Sequence, residues 1–526
     1  MKWKKTVLLT PIILVGLLIG LWLLFGGTGL PEAVDRPVSH AISEGQDTTT
    51  LGRLFDAQLA EHGDTSGVFL LNNGLDAFVA RARLAQMAER SIDVQYYMFH
   101  QDTVGRLLIG QLLDAAERGV RVRMLIDDMY GSEAEDVWAA MDAHPNIEMR
   151  LFNPFTRKRL KPLRSFFQAR RVMHRMHSKS FTVDNQAVIV GGRNIGDEYF
   201  DADPDLAFAD LDMLAIGPVV PQVSAAFDEY WNSTHAYPVS ALFPPAGPEQ
   251  RAALKATLAQ LPAQKETEAY VNALEHSDLI AALHKGSARF AWAEARVFHD
   301  TAEKSVRGEG WRQQLLISQL WPYLDAVTDE LIIVSPYFVP LENGTDALCK
   351  ISERGATVRI LTNSLASNDV SAVHAGYAPY REQLLKAGVI LYELDEDIRT
   401  KIGKRFTWLP GLKKSSLHAK TMVLDKKIMF VGSMNLDQMS LKINNEIGIL
   451  FHNPQIAGQS AQDFNEYIGN VAFRLELHAD DNGGESIRWH LQKDGREIVY
   501  QSEPYVGFWK KLTVKLIGFL PAKYFL

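Results

Sequence analysis

His177-Ser-Lys179-Ser-Phe-Thr-Val-Asp184, followed by Gly191-Gly192-Arg193-Asn194, decides how this chain of 526 residues is read, because it occurs twice. The second copy, His418-Ala-Lys420-Thr-Met-Val-Leu-Asp425 with Gly432-Ser433-Met434-Asn435 behind it, begins 241 positions later. The sequence upstream of each copy repeats as well. The strand-like residues 92–99 (IDVQYYMF) pass through a helical pattern at Val104, Leu107, Leu108, Leu112 and Ala115 into ERGVRVRMLIDD. Residues 331–340 (LIIVSPYFVP) pass through a shorter helical stretch into ERGATVRILTNS, and Glu117-Arg118-Gly119 returns as Glu353-Arg354-Gly355. A glycine after such a stretch stops the helix, and the next strand begins at once. Each half therefore reads as strand, helix, strand, which predicts an α/β fold with parallel pairing and helices over the sheet.

Side chains alternate faces along a strand, so His177 and Lys179 share a face, as do His418 and Lys420. A pseudo-two-fold axis between the halves brings both pairs into one pocket, with the amides of Asn194 and Asn435 around a single anion. A phosphodiester suits such a pocket, because its oxygens need cationic donors, most of all as charge gathers in a five-coordinate transition state. One imidazole, unprotonated, attacks phosphorus; the other, protonated, donates to the leaving oxygen. The lysines supply the positive charge, so neither a metal nor another cofactor is called for. The expected catalytic set is His177, Lys179, Asp184, His418, Lys420 and Asp425, the two aspartates shaping and supporting the site rather than carrying protons. A reacting imidazole needs an acceptor on its other nitrogen. Glu446 is expected to orient His418, and Asp210, ahead of Asp212, to orient His177. Ser433 stands where the first copy has Gly192, so a hydroxyl contact to phosphate is expected on one side only.

Composition narrows the class. A chain 47% hydrophobic and 22% charged buries a large core, and its mean hydropathy of −0.10 excludes a polytopic membrane protein. The net charge of −8 argues against broad nucleic-acid binding, which depends on neutralising phosphates. Cys349, the single cysteine, excludes an internal disulfide framework and reads as a core residue. Residues 6–25 run without a charge, enough to span about 30 Å as a helix. Lys2, Lys4 and Lys5 precede that run, placing the N-terminus in the cytoplasm and the body of the chain outside it. An uncleaved anchor is expected over a signal peptide, whose apolar stretch is shorter. Near the other end, Phe508, Trp509, Leu512, Leu516 and Phe519 fall at helical spacing among lysines, which suits either a helix in the headgroup layer or one docked on the body.

At the duplicated H-x-K-x4-D motif, from about residue 75 to 450, the chain resembles the phospholipase D superfamily. LFNPF, RRVMHRMHSKSFTVD, GGRNIGDEYF, LDMLAIGPVV, SPYFVP and LTNSLASNDVSAVHAGYA, with FWKKLTVKLIGFLP near the end, resemble the bacterial cardiolipin synthases of the C-type branch. The resemblance implies two tandem phospholipase D-like α/β sandwich units about a pseudo-two-fold axis; the N-terminal transmembrane helix ahead of them is read from residues 6–25 and is not required by the family core, so its orientation rests on charge bias alone. On this reading 1–30 is the anchor, 50–240 the first unit, 241–310 a helical connector, 311–475 the second unit and 476–526 a tail. It implies transfer of a phosphatidyl group, from phosphatidylethanolamine to phosphatidylglycerol, through a phosphohistidine at the bacterial inner membrane, with a small macrodomain protein as companion. Family precedent favours His177 as nucleophile, a point that motif symmetry alone leaves open. Hydrolysis by water, a nucleic-acid phosphodiesterase and a silent lipid-binding scaffold are the rival readings. The intact His, Lys and Asn of both halves oppose the last.

Secondary candidates remain. Arg157, Lys158, Arg159, Lys161, Arg164, Arg170, Arg171 and Arg175 form a basic run with Phe166 and Phe167 leading into His177, expected to face anionic headgroups. Asn363, Asn368, Asp369, His374 and Tyr377 follow a strand end, where α/β folds place ligand contacts. His374 is read as either a headgroup contact or a structural histidine. Tyr97 and Tyr337 are expected in related positions lining the pocket.

Overall fold

Runs rich in Val, Ile, Leu and Phe build the strands, and their repetition builds the molecule. The computed structural model describes residues 27–131, 134–157, 161–202, 207–276, 290–304, 311–396, 415–479, 484–493 and 495–518. The first half contains β1 (Ser66–Leu71), β2 (Ser91–Tyr96), β3 (Arg121–Asp127), β4 (Ile147–Phe152), β5 (Ser180–Val183), β6 (Ala187–Gly191), β7 (Ala207–Ala209), β8 (Asp212–Ile216) and β9 (Ala236–Pro238). The second contains β10 (Ala291–His299), β11 (Glu330–Val334), β12 (Thr357–Asn363), β13 (Ile390–Leu394), β14 (Ser415–Leu417), β15 (Thr421–Leu424), β16 (Ile428–Gly432), β17 (Ile447–His452), β18 (Ala472–Ala479), β19 (Glu485–Lys493) and β20 (Arg496–Tyr500).

The duplication is visible in the pairing. The order β1-β8-β6-β5-β2-β3-β4-β9 in one half is matched by β10-β17-β16-β15-β11-β12-β13-β18 in the other, with the β2-β3-β4 and β11-β12-β13 triplets parallel. Antiparallel pairing of β1 with β10, Ser66 opposite Ala293, joins the two sets. Helices Thr103–Glu117 and Leu341–Glu353 cross between the parallel strands, and Gly119 (φ 95°) and Gly355 (φ 102°) end them in left-handed geometry, as the repeated Glu-Arg-Gly predicts. The sheets meet face to face. Val68, Val188, Val190 and Met213 of the first half pack with Val423, Met429, Val431 and Ile449 of the second, all buried. At about 1.5–3 kcal/mol for each such side chain, the halves form one unit about the pseudo-dyad.

Three expectations change. The segment 241–310 is not only helical: after Pro248–Gln260 and Glu268–His276 it forms β10, the strand that joins the halves. The boundary at 475 falls inside β18, and β19 and β20 extend the same sheet beyond it. Asp184 and Asp425 lie away from the chemistry, in the tight turns between β5 and β6 and between β15 and β16, each with positive φ (51° and 50°). Seven residues of extended chain, about 23 Å, separate them from their histidines. Asp184 accepts from the backbone N–H groups of Glu89, Arg90 and Ser91 at 2.8–3.0 Å, and Asp425 from those of Thr328, Asp329 and Glu330 at 2.7–3.2 Å. Each staples its hairpin to the start of the central strand. Asp184→Ala orphans three donors and should destabilise the fold by about 2–3 kcal/mol, read as a lower melting temperature, with little change in kcat below it.

No helix among the described residues is long and apolar enough to cross a membrane. The predicted span at residues 6–25 lies outside the described residues.

Candidate active site

The two histidines are placed by backbone pairing across the halves. β14 pairs in parallel with β7, Leu417 opposite Ala209, and the His418 N–H donates to the Ala209 carbonyl at 2.8 Å. On the other side Met176 bridges Asn445, and the His177 N–H donates to the Asn445 carbonyl, also at 2.8 Å. Asp210 follows Ala209, and Glu446 follows Asn445. Each histidine thus meets the acid of the opposite half: His177 Nδ1 lies 2.9 Å from Glu446 Oε2, and His418 Nδ1 2.5 Å from Asp210 Oδ2. This corrects the expected pairing, in which Glu446 serves His418 and Asp210 serves His177. The acids lead into β8 and β17, and the parallel contacts just described lay each lead beside the histidine of the other unit. Asp212 holds no histidine; it is buried against Arg81 at 2.8 Å and Arg193 at 3.4 Å.

An acid on Nδ1 keeps the proton there and leaves Nε2 with its lone pair, the state a nucleophile or base requires. Lys179 Nζ donates to the His177 carbonyl at 2.6 Å. Lys420 Nζ donates to the His418 carbonyl and lies 2.9 Å from His418 Nδ1. Ser433 does not wait for phosphate: its hydroxyl donates to Glu446 Oε2 at 2.5 Å and accepts from the Ile447 N–H. The glycine at the matching position has its own reason, since a Cβ on Gly192 would stand 2.1 Å from Asp210 Oδ1. The Asn194 amide is engaged with the Tyr199 hydroxyl at 2.9 Å and the Met98 N–H at 3.3 Å, whereas the buried Asn435 Oδ1 has no hydrogen-bond partner among the described residues. Rings close the walls, Tyr97 4.9 Å from His177, and Tyr199 and Phe208 5.1 and 5.3 Å from His418.

The charges explain one another. Burial pushes Lys179 down to about 7 and Lys420 to about 8, with Asp210 and Glu446 offsetting part of the shift in each, and each ammonium acts on the histidine of the other half. Burial and Lys420 drive His418 down to about 3; burial also lowers His177, against the pull of Glu446. Burial works to raise Asp210, but His418, Lys420 and Arg193 hold it at about 2. Without substrate the site therefore holds two neutral imidazoles beside two carboxylates, and an entering phosphodiester supplies the negative charge that favours protons on the lysines and on one imidazole. Lysines that lose protons near 7 and 8 predict that kcat/KM falls as pH rises through that range. At saturating substrate the kcat limb should sit at higher pH, because the bound anion raises both lysines; a pH–rate profile checks both limbs.

Several supporting residues escape motif reading. Arg193 donates to the carbonyls of Asp210 (2.6 Å), Leu71 and Asn72 (both 2.9 Å), fixing the backbone of the acid. Asp300, on the connector, accepts the Glu446 N–H at 3.0 Å and is held by Lys304 at 2.8 Å. Asp127 and Asn363, the last residues of β3 and β12, accept the N–H groups of Met176 (2.8 Å) and Leu417 (2.9 Å), each just ahead of a histidine. Their matching strand-end positions are the one signal present in sequence.

Three residues of the basic run, Arg157, Arg171 and Arg175, are turned inward. Arg157 pairs with Asp128 (2.5 Å) and Glu135 (3.0 Å), Arg171 holds Asn153 and Gln168, and the buried Arg175 reaches Asp127 at 3.0 Å. Lys158 and Arg159 lie outside the described residues. His374 is buried, 3.1 Å from Glu503 and 2.7 Å from Arg381, which matches the structural reading. Tyr337 donates to Asp369 at 2.8 Å, but the bridges Phe99–Ile195 and Phe338–Leu436 align it with Met98 rather than with Tyr97. Cys349 is buried in the second core.

A doubled α/β unit with two crossed histidine–acid pairs defines an enzyme of the phospholipase D type. The family profile described as "Cardiolipin synthase, PLD-like domain" matches residues 82–231 and 320–468, once in each half. The chain is 39% identical over 471 residues to cardiolipin synthase C of Escherichia coli K12, covering 89% of this chain and 98% of the other. It is 28% identical over 407 residues to cardiolipin synthase A of Pseudomonas syringae pv. syringae, covering 76% and 68%. The crystal structure of phosphatidylserine synthase from Haemophilus influenzae shares the fold, with a TM-score of 0.51 at 12% identity over 80% of this chain and 92% of that one. This chain belongs to the cardiolipin synthase family, phosphatidyltransferases of the phospholipase D superfamily.

Proposed function

We propose that this enzyme makes cardiolipin, taking the phosphatidyl group from phosphatidylethanolamine and passing it to phosphatidylglycerol. The crossed pairs carry the reading, because they give two Nε2 atoms of opposite duty within one buried field. His177 Nε2 attacks phosphorus while the bond to the ethanolamine oxygen breaks, and that oxygen takes a proton from His418. His418 then removes the proton of a glycerol hydroxyl on phosphatidylglycerol; the oxygen attacks phosphorus, the P–N bond breaks and its electrons return to His177. Lys179 and Lys420 neutralise the phosphoryl oxygens throughout. The Asn435 Oδ1, buried without a partner among the described residues, supports a role in accepting a hydrogen bond from a substrate hydroxyl or ammonium.

Similarity to cardiolipin synthase C supports the choice of donor. The charge-free residues 6–25 behind three lysines support a membrane anchor with the catalytic body outside the cytoplasm. A small macrodomain protein as companion is part of the same proposal, and co-purification from membranes tests it. The decisive experiment incubates purified enzyme with labelled phosphatidylglycerol, with and without phosphatidylethanolamine. Cardiolipin together with released ethanolamine is the expected result. Phosphatidic acid without cardiolipin would make the enzyme a hydrolase, and nicked DNA without lipid turnover a nuclease.

A further inference from the structure

The helix Phe508–Gly518 is apolar on two opposite faces, and among the described residues the body of the protein packs on one of them. Val514 is buried with Leu365 and Ala375, and Ile517 packs against the same cluster. At 100° per residue, Phe508, Trp509, Leu512 and Leu516 fall in an arc about 100° wide on the far side from Val514. Phe508 is 70% exposed, Trp509 76% and Leu516 59%. Lys515 and Lys511 flank that arc on one edge and Thr513 on the other, while Lys510 falls on the docked side, about 40° from Val514. Residues 504–518 contain no acid, in a chain whose net charge is −8.

This face is fixed relative to the chemistry. Glu503, just ahead of the helix, is held by Arg381 at 2.7 Å and lies 3.1 Å from His374 on the helix Ser371–Tyr377. That helix follows β12, whose last residue, Asn363, holds the backbone of Leu417 beside His418. Two adjacent aromatic rings and a leucine turned to water, bordered along one edge by Lys511 and Lys515, match the boundary between acyl chains and anionic headgroups. Aromatic side chains settle there, and lysine stems extend to lipid phosphates.

We infer that the Phe508–Gly518 helix lies in the headgroup layer of an anionic bilayer. Phe508, Trp509 and Leu516 enter the acyl boundary, Lys511 and Lys515 meet the phosphates, and the His177/His418 site is held at the lipid surface. Only this last clause rests on the proposed function.

The test uses full-length Cys349→Ser/Trp509→Cys carrying an environment-sensitive dye at position 509, added to vesicles of dioleoylphosphatidylglycerol or dioleoylphosphatidylcholine. Expected is a several-fold rise in dye emission, quenched by lipids spin-labelled near the acyl carboxyl, on phosphatidylglycerol and largely lost on phosphatidylcholine or in 1 M salt. A dye that stays in water while the chain is bound to phosphatidylglycerol vesicles overturns the inference. So does a dye shielded before lipid is added, which would mean that a second copy covers the face. The readout is local to position 509, so the apolar N-terminal stretch does not contribute to it, and it needs no turnover, so it stands or falls separately from the proposed reaction. As a second arm, Phe508→Ser/Trp509→Ser/Leu516→Ser should lower the ratio of activity on vesicle lipid to activity on a monomeric short-chain phospholipid by about 10-fold. An equal loss on both, with an unchanged melting temperature, also overturns it.

Discussion

Alanine at His177 or at His418 is expected to lower turnover by roughly 10⁴- to 10⁶-fold, and the two variants should fail at different steps. His177→Ala removes the atom that bonds phosphorus, so no phosphatidyl adduct should form on the protein. His418→Ala keeps that atom but removes the proton donor and, later, the base, so a lipid carrying a good leaving group should load His177 and the adduct should persist. Acid-labile, alkali-stable labelling of the protein distinguishes them. Adduct on His418 in the His177 variant would reverse the assignment, and no adduct in either would remove the covalent step.

Nearly as large an effect is expected at the acids, with an assignment opposite to their order in the chain. Glu446→Gln should cost about 10³- to 10⁴-fold, as when a neutral amide orients the wrong tautomer of a catalytic imidazole. Because Glu446 holds His177 from across the interface, this variant should resemble His177→Ala and form no adduct. Asp210→Asn should cost a similar factor and resemble His418→Ala, accumulating adduct. Pairing within each half predicts the reverse outcomes, so one labelling gel separates the two geometries.

That crossing marks where sequence reading stops. The duplicated His-Lys pairs, the strand–helix–strand order and the glycines that end the two crossover helices follow from local spacing, and the structure shows all of them. The acids were also visible as residue types downstream of each motif. What spacing does not encode is which surface the lead into β8 or β17 lies against, and that surface belongs to the other half. Asp184 and Asp425, expected to support the site without carrying protons, support the hairpins instead, for a related reason. An aspartate at a constant distance behind a lysine reads as a neighbour of the site, whereas its three backbone donors come from residues more than ninety positions away. Asp300 and Arg193 act through backbone groups of the acids, and Arg157 and Arg175 of the basic run are paired with Asp127, Asp128 and Glu135 upstream. Such contacts leave no periodicity to read.

The parallel pairing of β7 with β14, and of Met176 with Asn445, makes the chain a dimer written as one polypeptide. Neither half alone owns a working proton relay, since each would carry an imidazole with its counter-acid missing. Tethering replaces a bimolecular encounter by a permanent one, so catalysis is independent of enzyme concentration. It also frees the two copies to diverge, as Gly192 with Asp210 and Ser433 with Glu446 already have, provided each substitution is matched by a change in its opposite number.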